Sequence, residues 1–186
     1  WAASPRWHAP RLRSYGLREG GTAVINADDF YGADAFAQLG RFFAEARGPN
    51  FAMVGFRLAN TLSEHGGVSR GIARVNAAGE MTSVEEVHGI VAAEVGPGLR
   101  YSGDEPVSLN CWGFTPALFA GLDRSFPEFL RARTGDPKAE FYLPAAVSGM
   151  VDAGEAVVRV MVVLASARSL PAFHCCAVVG AEANIT

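Results

Sequence analysis

Apolar residues fall in short runs separated by glycine, proline and acidic residues, and the period within each run separates strand from helix. Residues 22–27, TAVINA, are short, partly β-branched and bounded by turn formers, which reads as a fully buried strand. Residues 33–46 predict an amphipathic helix with Phe36, Leu39, Phe43 and Ala46 on its buried face. Residues 51–57, FAMVGFR, form a second apolar strand, so the first third predicts a right-handed parallel strand–helix–strand crossover. LANTLSEHGGVS, 58–69, reads as a loop containing His65. Residues 70–86 predict two short strands around a turn at 77–79, and the glycine-rich stretch 89–105 reads as a flexible excursion. Residues 107–114 form another strand. Thr115 is placed to cap a helix opening at Pro116 and burying Leu118, Phe119 and Leu122. A helix over Glu140–Ala153 and a last buried strand over 156–165 complete the series.

Strands alternating with helices predict an α/β domain with a mainly parallel, mixed sheet flanked by helices. With 186 residues the chain has room for one domain with a sizeable core. Hydrophobic residues make up 49% and charged residues 19%, a globular balance. The net charge of −3 offers no footprint for nucleic acid or an anionic membrane. No apolar run reaches the roughly 20 residues of a membrane span, and the opening WAASPRWHAPRLR has no apolar signal core. Cys111, Cys175 and Cys176 form neither a disulfide framework nor a metal-ligand spacing, so a reducing cytoplasm is the expected location.

The first strand runs straight into two carboxylates, VINADDFYG. In open α/β sheets, ligands bind beyond the carboxyl ends of strands. Asp28 and Asp29 stand at such an end, where a carboxylate can hold a hard cation that neutralises phosphate. The competing reading is structural: Asp29 caps the helix near Ala33, or the pair makes an Asx turn. Trp112, Phe114, Phe119 and Phe126 read as core, His65 and His88 as solvated loop residues, and Cys111 as packing. No GxxxxGK[ST] occurs, which argues against a phosphate-loop kinase.

VINADDFYG with its following AF..L..FF helix resembles the sugar nucleotidyltransferase family. The resemblance continues through GFRLANTLSEHGGVSRGIARVNAAGEMTSVEE, VSLNCWGFTPALF and KAEFYLPAAVSGMV, in order, over residues 21–162. It implies a Rossmann-like (GT-A-like) nucleotidyltransferase domain that joins a nucleoside triphosphate to a sugar 1-phosphate and releases pyrophosphate, with Mg2+ as cofactor. Carried over by motif, Asp28 falls on the metal-holding aspartate and Asp29 on its neighbour. Gly71 falls where backbone approaches the sugar, and Glu86 and Asn110 fall on sugar-contacting positions. Arg70 is placed to meet a phosphate. Each also has a plain structural alternative: Gly71 as a turn or bulge glycine, Glu86 as the exposed member of a strand, Asn110 as a buried amide, Arg70 as a solvated arginine. The implied partners are the triphosphate and the sugar phosphate.

The family's glycine-rich triphosphate loop, G-x-G-T-R, does not occur here, and segments 1–20 and 164–186 do not resemble the family. The expectation is therefore a fragment with atypical flanks and doubtful activity. A strand missing ahead of the Asp28 strand would leave a sheet edge open, which predicts self-association, for instance as a homo-oligomer. Two other functions compete. One is a non-catalytic sugar-phosphate sensor or regulatory subunit. The other is a glycosyltransferase, whose usual Asp-x-Asp signature the adjacent Asp28-Asp29 does not match.

Overall fold

The computed structural model describes residues 21–26, 29–64, 66–136, 139–163, 168–169 and 176–180. A seven-stranded mixed sheet carries helices on both faces. In chain order come β1 (Thr22–Asn26), β2 (Asp29–Phe30), α1 (Gly32–Glu45), β3 (Asn50–Arg57), β4 (Val68–Val75), β5 (Met81–Ile90), β6 (Pro106–Phe114), α2 (Ala117–Ala132), α3 (Leu143–Asp152), β7 (Val157–Val163), β8 (Arg168–Ser169) and β9 (Cys176–Gly180).

The sheet is mostly antiparallel, which corrects the expected mainly parallel one. Only β3 and β7 pair in parallel among the described strands. The cause is β6. It runs antiparallel to both β1 and β3 and lies between them, so the predicted crossover joins strands of one direction that are not neighbours. Hydrophobic period reports burial but carries no information on strand direction.

β6 also organises the site. Along one edge it pairs with β3. Along the other it pairs with β4 through Val107 and Ser108, and with β1 through Trp112, Gly113 and Phe114. β1 and β4 therefore meet end to end on one edge of β6. Where they meet, β6 bulges: two β3 steps from Met53 to Gly55 face four β6 steps from Trp112 to Ser108. Asn110 sits in the bulge at φ +59°, the one non-glycine residue at positive φ among those described. Asparagine tolerates that conformation better than most residues.

Two cores fill the faces. Ala35 and Leu39 of α1 pack with Val54, Phe56, Leu109 and Cys111 on one side. Leu118 of α2 and Val147 and Met150 of α3 pack with Phe51, Trp112 and Phe114 on the other. Trp112 stacks on Phe114 at 6.0 Å, an offset arrangement that aromatic rings favour. The buried face of α1 is Ala35, Leu39 and Phe42, one residue out of step with the expected face, and Phe36 is 48% exposed. Phe126 is half-buried with Phe129 and Phe141 in an aromatic group of its own.

Other expectations change as well. Thr115 caps no helix; its hydroxyl donates to the Gly48 carbonyl instead, and α2 starts at Ala117. The excursion 89–105 is tied down: the Glu105 carboxylate accepts from the Ser102 hydroxyl and from the Ser102 and Gly103 amides at 2.7–3.0 Å. β7 is not the last strand, because β8 pairs with β2 and β9 pairs along the whole of β1. The β1 edge expected to be open is thus covered by β9. No helix among the described residues is long and apolar enough to cross a membrane.

Candidate functional site

The fork where β1 and β4 part on β6 gathers most of the residues singled out from the sequence. The β1–β6 ladder stops at Val24–Trp112, two residues short of Asn26 on one strand and Asn110 on the other. Across β4, β5 and β6, Gly71 is paired with Glu86 on one side and with Ser108 on the other. These three residues form a row on one face, with Asn110 two residues beyond Ser108. The Ser108 hydroxyl accepts from the Asn110 amide at 3.1 Å, so the row is linked to the bulge.

Gly71 matters through what it lacks. A Cβ there would stand 3.2 Å from Val84 Cγ2, 3.4 Å from Ser108 Cβ and 3.5 Å from Glu86 Oε2. The bare glycine leaves a shallow floor flanked by the Glu86 carboxylate. A carboxylate accepts several hydrogen bonds at once and suits adjacent hydroxyls. Glu86 is exposed, as an alternating-strand reading requires, and its carboxylate stands over this floor.

Arg70 follows a different course. As the neighbour of Gly71 in a strand it points to the opposite face, toward α1. It is half-buried, not a solvated surface arginine. Its guanidinium donates to the Thr61 carbonyl at 2.5 Å and the Ser69 carbonyl at 2.7 Å. Burial lowers its pKa from the usual value, while the charges of Asp29 and Glu86 pull it back up. Both carboxylates therefore lie close enough to feel this cation, although none of these contacts is a direct ion pair among the described residues.

Asp29 opens the two-residue strand β2 and pairs there with Ser169 of β8. Its Oδ2 accepts from Asn26 Nδ2 at 2.9 Å, and α1 has no side-chain cap, so the helix-capping reading is corrected. Tyr31, 2% exposed, precedes α1 and reaches between β1 and β6. Its hydroxyl accepts from the Asn26 backbone N–H at 2.9 Å and donates to the Leu109 carbonyl at 2.8 Å, with Asp29 Oδ2 further off at 3.4 Å. Burial, reinforced by Asp29, holds the phenol well above its ordinary pKa, so it remains a donor. Cys111 beside it is buried and its thiol is pushed up to about 12, which keeps it inert packing.

Asp28 lies outside the described residues, as does His65. A magnesium site needs several oxygen ligands around one point. No group of three or more His, Cys, Asp or Glu among the described residues forms one. Asp29 and Glu86 alone do not make a metal centre, so the fit of the implied ion depends on Asp28.

Sequence reasoning missed Asn26, Tyr31 and Ser108, and it misplaced His88. His88 lies on β5 and its Nδ1 is 2.9 Å from Ser69 Oγ, one step along from the Gly71–Glu86 pair. Ser69 and His88 are each two residues from Gly71 and Glu86, which places them on the same face. No sequence signal for the Tyr31 bridge exists, because the bulge that brings Leu109 to it has no local signature. A separate hollow of about 720 Å³ between α2 and α3, lined by Arg124, Phe129, Phe141 and Tyr142 among others, includes none of the fork residues. No protein-family model matches the chain, and no curated protein matches it.

Proposed function

We propose that the fork binds a sugar 1-phosphate and that the chain descends from, or acts as, a sugar-phosphate nucleotidyltransferase. The observation that carries this reading is convergence. Gly71, Glu86 and Asn110, far apart in sequence, come together with Ser108 beside the carboxyl end of β1. In the reaction, an oxygen of the sugar phosphate forms a bond to the α-phosphorus of a nucleoside triphosphate. The bond from that phosphorus to the bridging oxygen breaks, and pyrophosphate leaves with the electron pair. No covalent protein intermediate is needed, so the protein's part is positioning and charge neutralisation.

Within this reading Glu86 accepts from vicinal sugar hydroxyls, and Gly71 lets the ring lie against the sheet. Asn110 offers its amide from the bulge. Arg70, held by two backbone carbonyls on the other face of the sheet, makes no contact with the sugar in this reading. A magnesium ion held by Asp28 would neutralise phosphate oxygens.

A sugar-phosphate sensor is the second reading. It is favoured by the fork residues, Gly71, Glu86 and Asn110, all falling on the sugar side of the resemblance. Titration of the chain with α-hexose 1-phosphates and with nucleoside triphosphates, each with magnesium chloride, separates the two. Binding of both supports nucleotidyl transfer, and binding of the sugar phosphate alone supports the sensor. Binding of neither removes both.

A further inference from the structure

We infer that Tyr31 is the positioning residue of the fork, its hydroxyl replacing the ladder hydrogen bond that the β6 bulge removes between β1 and β6. This rests on the sugar-phosphate reading of the site for its functional consequence, but not for its structural one.

An antiparallel ladder would carry Asn26 N–H onto a carbonyl of β6. Instead the ladder ends at Val24–Trp112, and the Tyr31 hydroxyl stands between the two strands. It accepts the Asn26 N–H at 2.9 Å and donates its own O–H to Leu109 O at 2.8 Å. Leu109 directly precedes Asn110. One inserted oxygen thus spaces the strands and fixes both sides of the fork. On the β1 side it anchors Asn26, whose side chain in turn holds Asp29 at 2.9 Å. On the β6 side it anchors the peptide leading into the φ +59° residue. The ring is wedged by Phe36, edge-on at 6.4 Å, and by Phe56 at 6.1 Å, so the hydroxyl has little freedom to move. Buried polar groups of this kind are costly to leave unpaired, which makes the bridge specific in geometry.

The consequence is that Tyr31 acts on ligand binding without touching ligand. Tyr31→Phe keeps the wedged ring and removes only the bridge. Two readouts apply to it: amide hydrogen exchange, and calorimetric titration with glucose 1-phosphate plus magnesium chloride. Val147→Ala serves as a control that loosens the second core without removing the Tyr31 bridge. The expected result is exchange at Asn26 and Asn110 at least tenfold faster in Tyr31→Phe, with α1 amides unchanged. Glucose 1-phosphate affinity should fall at least tenfold, whereas Val147→Ala leaves affinity as it was. Unchanged exchange at Asn26 and Asn110 overturns the bridge. Faster exchange with wild-type affinity overturns the positioning role. If the wild-type chain binds no glucose 1-phosphate, the sugar-phosphate reading and the positioning role fall together. The bridge itself is then judged on exchange alone.

Discussion

Glu86 Oε2 lies 3.5 Å from the point where a Cβ on Gly71 would stand, so one missing methyl group opens the floor beside the carboxylate. The site is shaped as much by that absence as by any side chain. Gly71→Ala would also press on Val84 at 3.2 Å and on Ser108 at 3.4 Å, contacts that small side-chain shifts can relieve. The expected outcome is a fall in melting temperature of no more than a few degrees, or about 1 kcal/mol. Hexose 1-phosphate affinity should fall at least tenfold. A thermal melt and a calorimetric titration on the same sample check both.

Asn110 separates backbone from side chain. Its φ of +59° suits glycine and strains a β-branched residue. Asn110→Gly should fold about as well as wild type and lose sugar-phosphate affinity. Asn110→Val should lose the same affinity and in addition about 1–2 kcal/mol of stability. Denaturant midpoints of the two variants make the comparison.

Gly113 tests the placement of α1 on the sheet. A Cβ there would stand 2.8 Å from Leu39 Cδ2 and 3.3 Å from Phe42 Cδ1. Gly113→Val therefore overpacks the seam between α1 and β6 and should cost about 1–3 kcal/mol. Urea unfolding measures the loss. A variant as stable as wild type would mean that α1 does not pack over β6 as described.

Glu105 gives the chain an acid-sensitive loop. Burial alone would raise its pKa, but hydrogen bonds from its own amide, from Ser102 and from Gly103 outweigh burial and lower it below the ordinary 4.5. A lowered folded-state pKa means that the carboxylate stabilises the loop above pH about 4.5 and that this contribution is lost as pH falls through the lower, folded-state value. Amide protection of Ser102 and Gly103, corrected for intrinsic rates, should decline below that pH in wild type. In Glu105→Gln it should be lower throughout and show no such decline.

Much of the element series was legible because burial leaves a period in the sequence. The strands at 50–57 and 106–114 and the hairpin turn near 77–79 follow directly from apolar runs bounded by turn residues. What failed was direction and adjacency. Nothing local in β6 says that it will enter between β1 and β3, so a parallel crossover was the natural expectation and the antiparallel sheet was not. The phase of α1 slipped by one residue because Phe36 and Phe43 are more apolar than Ala35, yet Ala35 is the residue with no exposed surface. For the site, resemblance located Gly71, Glu86 and Asn110, and the structure brings them to one fork. It sends Arg70 to the other face, which consecutive positions on a strand require. Tyr31 and Ser108 were invisible because their partners are 78 residues away in one case and set by a bulge in the other.

The central claim, that the fork is a sugar-phosphate site, is tested most directly by calorimetric titration of α-glucose 1-phosphate with magnesium chloride into the wild-type chain and into Glu86→Ala. Glu86 is exposed on β5, so its removal should leave the fold intact. The account predicts saturable binding to wild type and a loss of at least tenfold in Glu86→Ala at an unchanged melting temperature. Equal binding by both proteins, or none by a folded wild-type chain across a panel of hexose 1-phosphates, would contradict it.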